Sequence, residues 1–166
     1  MAHRTVPNTL ELDAVAWRIL EALQHNARQS FAEIGRQIGL STPAVAERIH
    51  RLEEAGIIIG YHVELDIVKL GVPIRVLVRL TIPGGDLQVR RSVAAIKELT
   101  EISRCDRITG DESFVIVANV VSIRHMEALI DKLSALGATS TSTVLSSPVQ
   151  RREYHAKQIE AFGKYI

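Results

Sequence analysis

Over the first sixty residues, apolar side chains recur every three or four positions, in three stretches separated by short breaks. Leu10–Gln24 has the broadest apolar stripe, and a polar break over residues 26–29 follows it. Ser30 and Glu33 then form a capping-box pattern, which marks the start of a second helix. The pattern predicts three helices in which the second and third form a helix-turn-helix.

The turn between the second and third predicted helices carries its own signals. Gly39 ends the second helix, because glycine adopts the left-handed conformation of a helix end at little cost. Ser41 or Thr42 caps the third helix, and Pro43 fits its first turn, where a backbone N–H is not needed. Gly56 ends that helix. Helix, glycine and helix is a common arrangement, so a plain helical hairpin with a solvated face remains the alternative.

After Gly56 the hydrophobic pattern changes from helical to alternating. Residues 57–65 are rich in β-branched side chains and predict one or two extended strands. We therefore expect a helical domain at 1–60, whose first nine residues are a loose leader. A linker strand should follow at 61–73. A second domain should follow at 74–150.

The second half of the chain alternates between strand and helix patterns. Period-two alternation and turn signals predict four strands, and polar caps predict two helices between them. The strands are Ile74–Ile82, Ile102–Ile108, Ser113–Val121 and Thr139–Leu145, and the helices begin at Asp86 and Ser122. The order β-α-β-β-α-β is that of a ferredoxin-like domain. The fold class is therefore α+β, with a three-helix, winged-type helix-turn-helix domain before a ferredoxin-like domain.

A ferredoxin-like sheet has helices on one face only, so its other face must be solvated, bind a ligand or pair with a second copy. Arg75, Leu77, Arg79 and Thr81 fall on that face of the first strand. A homodimer packed sheet to sheet is the most economical solution, and it would also place two helix-turn-helix units on one DNA duplex.

Composition narrows the function classes. The chain has 166 residues, 46% hydrophobic and 23% charged, with a net charge of +1. One cysteine excludes an intramolecular disulfide framework and a cysteine-based metal cluster, and Cys105 is predicted to be a buried small hydrophobe. No apolar run reaches the length of a membrane span, and the N-terminus lacks a signal-peptide core. We expect a cytoplasmic protein without a membrane partner, metal or cofactor.

Motifs for catalysis are absent from the sequence. There is no glycine-rich phosphate loop, no His-Glu metal motif and no Gly-x-Ser-x-Gly, and the six histidines are scattered. The chain is therefore not expected to be an enzyme. Three classes of non-enzymatic protein remain as hypotheses: a sequence-specific DNA-binding regulator, a stand-alone amino-acid-binding or assembly module, and a nucleoid-architectural protein with little sequence preference.

The outer face of the third predicted helix is suited to the DNA major groove, because short side chains begin it and polar side chains follow. Arg48 is expected to contact phosphate, and Arg51 phosphate or a base edge; Ser30 could present backbone N–H groups to a phosphate. The candidate DNA-binding residues are Ser30, Ser41, Thr42, Pro43, Ala44, Glu47, Arg48 and Arg51. Residues 1–60 hold six arginines, no lysine and seven acidic residues, a net charge of −1. Non-specific attraction to DNA should therefore be weak.

The chain resembles the Lrp/AsnC (feast/famine) family of transcriptional regulators from about Leu12 to about Gln150. The matching residues keep their order and spacing across both predicted domains. They are Asp13, Ile19-Leu20, Arg28, Ser30–Gly35, Gly39–Ser41, Val45, Arg48-Ile49, Arg51–Glu53, Gly56–Ile58, Gly60-Tyr61, Leu65-Asp66, Leu70-Gly71 and Thr109–Asp111. The resemblance implies that the third helix binds double-stranded DNA. It also implies a C-terminal domain that senses an amino acid or related metabolite and forms dimers that associate into octamers or other rings.

The loop at Gly110-Asp111 is the candidate effector site. Glycine permits a turn whose backbone N–H groups can face a carboxylate, and Asp111 could pair with an α-ammonium group. The resemblance places the strand with Ser140 and Ser142 nearby, and Glu112 adjoins the loop. The alternative is an ordinary hairpin turn, in which Gly-Asp is common. The tail at 151–166 is predicted to be a short helix that docks on a neighbouring subunit, or else a frayed end.

Overall fold

Three helices make up the N-terminal part of the chain in the computed structural model, which describes residues 12–163. They are α1 (Ala14–His25), α2 (Phe31–Ile38) and α3 (Thr42–Glu54). The predicted leader, the first two positions of the predicted first helix and residues 164–166 of the tail lie outside the described residues. The chain forms two units, one of residues up to 63 and from 149 onward, the other of residues 64–148. Each unit has its own core.

The apolar stripes of the three helices meet in one aliphatic core, as their spacing predicts. Its buried members are Ala16, Ile19, Leu20, Leu23, Ile34, Val45, Ile49 and Leu52. Arg18 of α1 adds a polar contact, since its guanidinium donates to the carbonyl oxygens of Gln37 (2.6 Å) and Ile38 (3.3 Å). These carbonyls lie at the C-terminal end of α2, where the helix itself supplies no donors.

The predicted caps are present around the helix-turn-helix. Ser30 and Glu33 form the reciprocal capping box at the start of α2, and Gly39 ends that helix in the left-handed conformation with φ of 79°. Of the two candidate caps for α3, Ser41 is the N-cap, and its hydroxyl accepts from the backbone N–H of Ala44 at 3.4 Å. Local sequence chemistry therefore fixes both ends of the turn.

The turn crosses α2 very closely at Gly35. The backbone N–H groups of Gly39 and Leu40 both donate to the carbonyl oxygen of Gly35, at 2.8 and 2.9 Å. A Cβ atom at position 35 would lie only 2.5 Å from the carbonyl oxygen of Leu40 and 3.5 Å from Val45 Cγ2. Glycine at this position therefore sets how closely the start of α3 packs on α2.

The second unit has the predicted β-α-β-β-α-β order. Its elements are β1 (Ile74–Thr81), α4 (Asp86–Lys97), β2 (Ile102–Arg107), β3 (Phe114–Val120), α5 (Ile123–Ser134) and β4 (Ala138–Thr143). All strand pairs are antiparallel, and the order across the sheet is β2-β3-β1-β4. The α+β fold class is thus confirmed.

The core of this unit lies between α4, α5 and one face of the sheet. Its buried residues are Val76, Val78, Leu80, Ile82, Ile96, Phe114, Ile116, Ala118, Val120, Leu129 and Leu133. The alternating positions of β1, among them Leu77 and Arg79, therefore belong to the opposite, helix-free face. We call this surface the open face.

One polar residue, Ser92 of α4, is completely buried against this core, and its hydroxyl has no hydrogen-bond partner among the described residues. Ser92→Ala should stabilise the protein by about 1 kcal/mol, because it removes a buried unsatisfied hydroxyl and raises helix propensity. Urea unfolding of the wild type and the variant measures the difference. Ser134→Ala is the control, since that hydroxyl lies 3.0 Å from the Thr139 hydroxyl and should show no gain. A Ser92→Ala protein that is less stable than the wild type would contradict the assignment of the Ser92 hydroxyl as a buried group without a hydrogen-bond partner.

The predicted strands between residues 57 and 73 are not formed in the single chain. No residue of this segment, all of which is described, belongs to a strand, and Ile59, Val63 and Leu65 are 86%, 84% and 62% exposed. The alternating pattern is present, but a strand also needs a neighbour to accept its hydrogen bonds. Within this segment, residues 67–71 form turns instead of a strand.

Cys105 is exposed rather than buried. It lies on β2, which is an edge strand of the sheet, so side chains there are covered less than on the central strands. Partial burial, with the negative charge of Asp106, raises the pKa of the thiol. The prediction that Cys105 is a buried hydrophobe was therefore wrong, because the sequence does not show which strand is at the edge.

The tail contains α6 (Ala156–Phe162) and contacts α1 of its own chain. The side-chain amide of Gln24 makes two hydrogen bonds with the backbone of Tyr154, both 2.9 Å. His155 Nδ1 lies 3.2 Å from Glu21 Oε1. The residues just before α6 therefore contact α1 of the same chain, and docking of α6 on a neighbouring subunit stays a prediction.

Candidate DNA-binding face and effector site

The outer face of α3 carries the predicted DNA-binding side chains, while the inner stripe of Val45, Ile49 and Leu52 is buried in the helical core. The N-terminal residues are small or short, and Ala44 is half-buried. The exposed predicted residues of this helix and its cap are Ser41, Thr42, Pro43, Glu47 and Arg51. The structure therefore brings these residues together on one surface, which we call the α3 face.

On the α3 face, Arg51 forms an ion pair with Glu47, one helical turn earlier. Both side chains are well exposed, 71% for Arg51 and 63% for Glu47. His50 and Glu54 make the same kind of i, i+4 contact, 3.2 Å apart. Exposed pairs of this kind contribute little to stability, so the side chains can be rearranged at small cost when a partner binds.

Arg48 is placed differently from Arg51. Its Nη1 lies 2.7 Å from Oδ2 of Asp13, the N-cap residue of α1. The backbone N–H of Ala16 and the Arg48 guanidinium hold the pKa of the Asp13 carboxyl below its usual value. Arg48 therefore connects α3 to the start of α1, and a phosphate contact would have to replace or share this ion pair.

Ser30 is also engaged within its own helix. Its backbone N–H and its hydroxyl both donate to Glu33 Oε2, at 2.7 Å each. These hydrogen bonds hold the pKa of Glu33 below its usual value. A charged carboxylate thus occupies the helix N-terminus that the sequence suggested for a phosphate.

Tyr61 is a residue of this unit that sequence reasoning did not select for a role. Its hydroxyl donates to Glu53 Oε1 at 2.9 Å, which connects the segment after α3 back to that helix. Burial and the Glu53 carboxylate raise the pKa of the phenol to about 12. An aromatic residue eight positions after a glutamate gives no sequence signal for this contact.

The β2–β3 hairpin presents the predicted effector loop. Gly110 has φ of 113°, a conformation that favours glycine, and Asp111 is exposed. The Asp111 carbonyl oxygen accepts a hydrogen bond from the Thr81 hydroxyl at 3.3 Å. The loop is therefore attached to the end of β1.

On the open face, Arg79 lies between the loop and the other predicted effector residues. Its Nε lies 3.9 Å from Glu112 Oε1, and it pairs with Ser140 in the β1–β4 register. Ser142 follows on the same face, opposite Leu77. Arg79 was not among the predicted effector residues. Its place on the polar side of the alternating strand was the available signal, but only the register shows that it meets Ser140.

Residues 12–163 contain neither a metal-binding cluster nor a membrane-spanning helix. No group of three or more histidine, cysteine, aspartate or glutamate side chains is arranged to hold a metal ion there. None of the helices in that range is long and apolar enough to cross a membrane.

The two units match two family models. Residues 12–53 match the AsnC-type helix-turn-helix domain, and residues 75–154 match the Lrp/AsnC ligand binding domain. The transcriptional regulator LrpC of Bacillus subtilis is 36% identical over 137 residues, which are 82% of this chain and 94% of LrpC. The leucine-responsive regulatory protein of Haemophilus influenzae is 31% identical, over 84% of this chain and 87% of that protein.

Solved structures agree with these matches. The structure of B. subtilis LrpC has a TM-score of 0.80 and 34% identity, and the alignment covers 86% of this chain and all of that one. A Neisseria meningitidis regulator solved with L-Met has a TM-score of 0.83 over 89% and 99% of the two chains, with 21% identity, which shows the fold alone. The chain belongs to the Lrp/AsnC family. It is a DNA-binding transcriptional regulator and not an enzyme.

Proposed function

We propose that this regulator binds specific DNA sequences and that an amino acid or related small metabolite controls its assembly or its DNA binding. The observation that carries the first part is the α3 face, where an exposed arginine lies beyond a helix start of small side chains. The second part rests on the charged side chains of Arg79, Asp111 and Glu112 at the β2–β3 hairpin.

In this proposal the N-terminal half of α3 enters the major groove. Thr42, Pro43 and Ala44 are short enough to let the helix approach the bases, and Ser41 is placed for the backbone or the groove. Arg51 contacts a base edge or a phosphate. Arg48 keeps α3 oriented through Asp13, and Ser30 supports α2 through its capping box.

The proposed effector site fits a zwitterion. Arg79 offers a guanidinium for an α-carboxylate, and Asp111 or Glu112 offers a carboxylate for an α-ammonium group. The exposed hydroxyls of Ser140 and Ser142 supply further hydrogen bonds on the same face. Gly110, with φ of 113°, allows a turn whose backbone N–H groups can face the α-carboxylate. The description of this domain in the family as ligand binding supports the assignment.

We also propose a homodimer that assembles further, to an octamer. The exposed apolar side chains of Ile59, Val63 and Leu65 lie in a segment with strand-like alternation but without a strand partner. An unpaired stretch of this kind is ready to pair with another chain. Assembly also multiplies DNA contacts, which matters because the N-terminal sixty residues have a net charge of −1.

Thermal unfolding with each of the twenty amino acids tests the effector site. At about a hundred times its Kd, an effector should raise the Tm by roughly 5 °C or more. Asp111→Ala should abolish the shift, because it removes one proposed partner of the α-ammonium group. Asp131→Ala is the matched control: it removes an exposed aspartate from α5, away from the site, and should leave the shift in place. If no amino acid raises the Tm of the wild type, the amino-acid proposal fails.

A further inference from the structure

We propose that Glu47 determines base specificity, by accepting a hydrogen bond from the exocyclic amine of a cytosine while the neighbouring Arg51 contacts a guanine. The inference rests on the proposed function, since it requires the α3 face to lie in the major groove. Glu47 accepts a hydrogen bond and Arg51 donates hydrogen bonds, although the two side chains form an ion pair with each other in the free protein.

The charge of Glu47 is the first argument. A carboxylate on a surface that approaches DNA is repelled by phosphates, so it lowers affinity unless it contacts a hydrogen-bond donor. In the major groove the donors are the amines of cytosine and adenine. Adenine presents the acceptor N7 beside its amine, and N7 would face the second carboxylate oxygen, which is also an acceptor. Cytosine presents no acceptor at its major-groove edge. Glu47 therefore favours cytosine.

The geometry of the pair is the second argument. Glu47 and Arg51 lie four residues apart, about 6 Å along the helix axis, which corresponds to roughly two base-pair steps. Both side chains are exposed, and Glu47 follows the small residues that begin α3. Their ion pair occupies both charges in the free protein, and because an exposed pair is weak, DNA that offers each charge its own partner can replace it. A guanine for Arg51 and a cytosine for Glu47 meet that condition.

A purely electrostatic role is the competing explanation. In that case Glu47 lowers affinity for all sequences equally, and any carboxylate on α3 would act in the same way. Glu54 provides the comparison, because it also belongs to α3, is exposed and pairs with a side chain one turn away. It lies at the last residue of the helix, far from the small residues of the start.

Selection from a random duplex library with the wild type, Glu47→Gln and Glu54→Gln tests the proposal. Glutamine forms a bidentate contact with adenine, so Glu47→Gln should change the preferred base at one position of each half-site from cytosine to adenine. Discrimination at that position should change by about tenfold or more. Glu54→Gln removes the same charge and should select the wild-type sequence.

The outcomes are distinct. A Glu47→Gln protein that selects the same base as the wild type at every position overturns the assignment of Glu47, whether or not its overall affinity rises, and leaves sequence-specific binding intact. The same change of base in Glu54→Gln also overturns it. A wild type that enriches no sequence overturns specific DNA binding, and the role of Glu47 with it.

Discussion

Gly35→Ala should strongly lower DNA affinity, by displacing the start of α3, while the sheet unit stays folded. The added methyl group would lie 2.5 Å from the carbonyl oxygen of Leu40, which is a backbone atom and cannot rotate away. In an ordinary helix interior, replacing glycine with alanine stabilises by about 1 kcal/mol. Forcing a carbon into a closely packed backbone contact costs typically 1–3 kcal/mol and sometimes more, so the clash decides the sign.

The clash should move the start of α3 away from α2. This movement breaks the hydrogen bonds that the backbone N–H groups of Gly39 and Leu40 donate to the Gly35 carbonyl oxygen. Circular dichroism melting and a filter-binding assay on the same preparation measure the two effects. Gly39→Ala is the matched control. It places a methyl group in open space but in a left-handed conformation, which costs a similar amount, about 1–2 kcal/mol, so it should lower the melting temperature without displacing α3 and leave the DNA affinity of the folded protein unchanged. A Gly35→Ala protein with wild-type binding would contradict the packing account.

Arg51→Ala should lower affinity for the selected duplex about tenfold per subunit, and about a hundredfold for a dimer that places two α3 helices on one site. The exposed guanidinium is the proposed base or phosphate contact of the α3 face. Its loss also leaves Glu47 without its ion-pair partner, and an uncompensated carboxylate repels DNA further. Fluorescence anisotropy over a series of salt concentrations gives the affinity and its salt dependence.

Two controls separate the contributions of Arg51. Arg124→Ala removes the same charge from α5 in the other unit and should leave DNA affinity within about twofold, because a remote surface charge is screened. Arg51→Lys keeps the charge but loses the bidentate geometry, so it should retain the salt dependence and lose base discrimination. If Arg51→Ala binds the duplex like the wild type, this residue is not the DNA contact. Chromatography should show the same oligomer for every variant.

Local chemistry explains why the fold could be predicted in detail. The capping box of Ser30 and Glu33, the left-handed Gly39 and the Ser41 cap are decided by residues three or four positions apart, and the structure contains all of them. The alternation on β1 likewise placed its buried side correctly. Such signals need no knowledge of the rest of the chain.

The structure differs from the sequence-based prediction where a contact depends on residues far away in the sequence. The alternation at residues 57–65 does not become a strand because, within residues 12–163, no neighbouring strand accepts its hydrogen bonds. Arg48 contacts Asp13, 35 positions away, and Arg79 meets Ser140 only through the strand register. The role of Gly35 is equally invisible in the sequence, because it depends on how closely the turn crosses the helix.

Amide hydrogen exchange with and without a duplex recovered from genomic fragments shows whether the α3 face lies against DNA. We expect slower exchange in peptides that cover residues 41–51 when the duplex is present. Peptides from β2 and α5 should not change, because those elements belong to the sheet unit. Unchanged exchange over residues 41–51 in a protein saturated with DNA, with protection elsewhere, would contradict this placement of the α3 face.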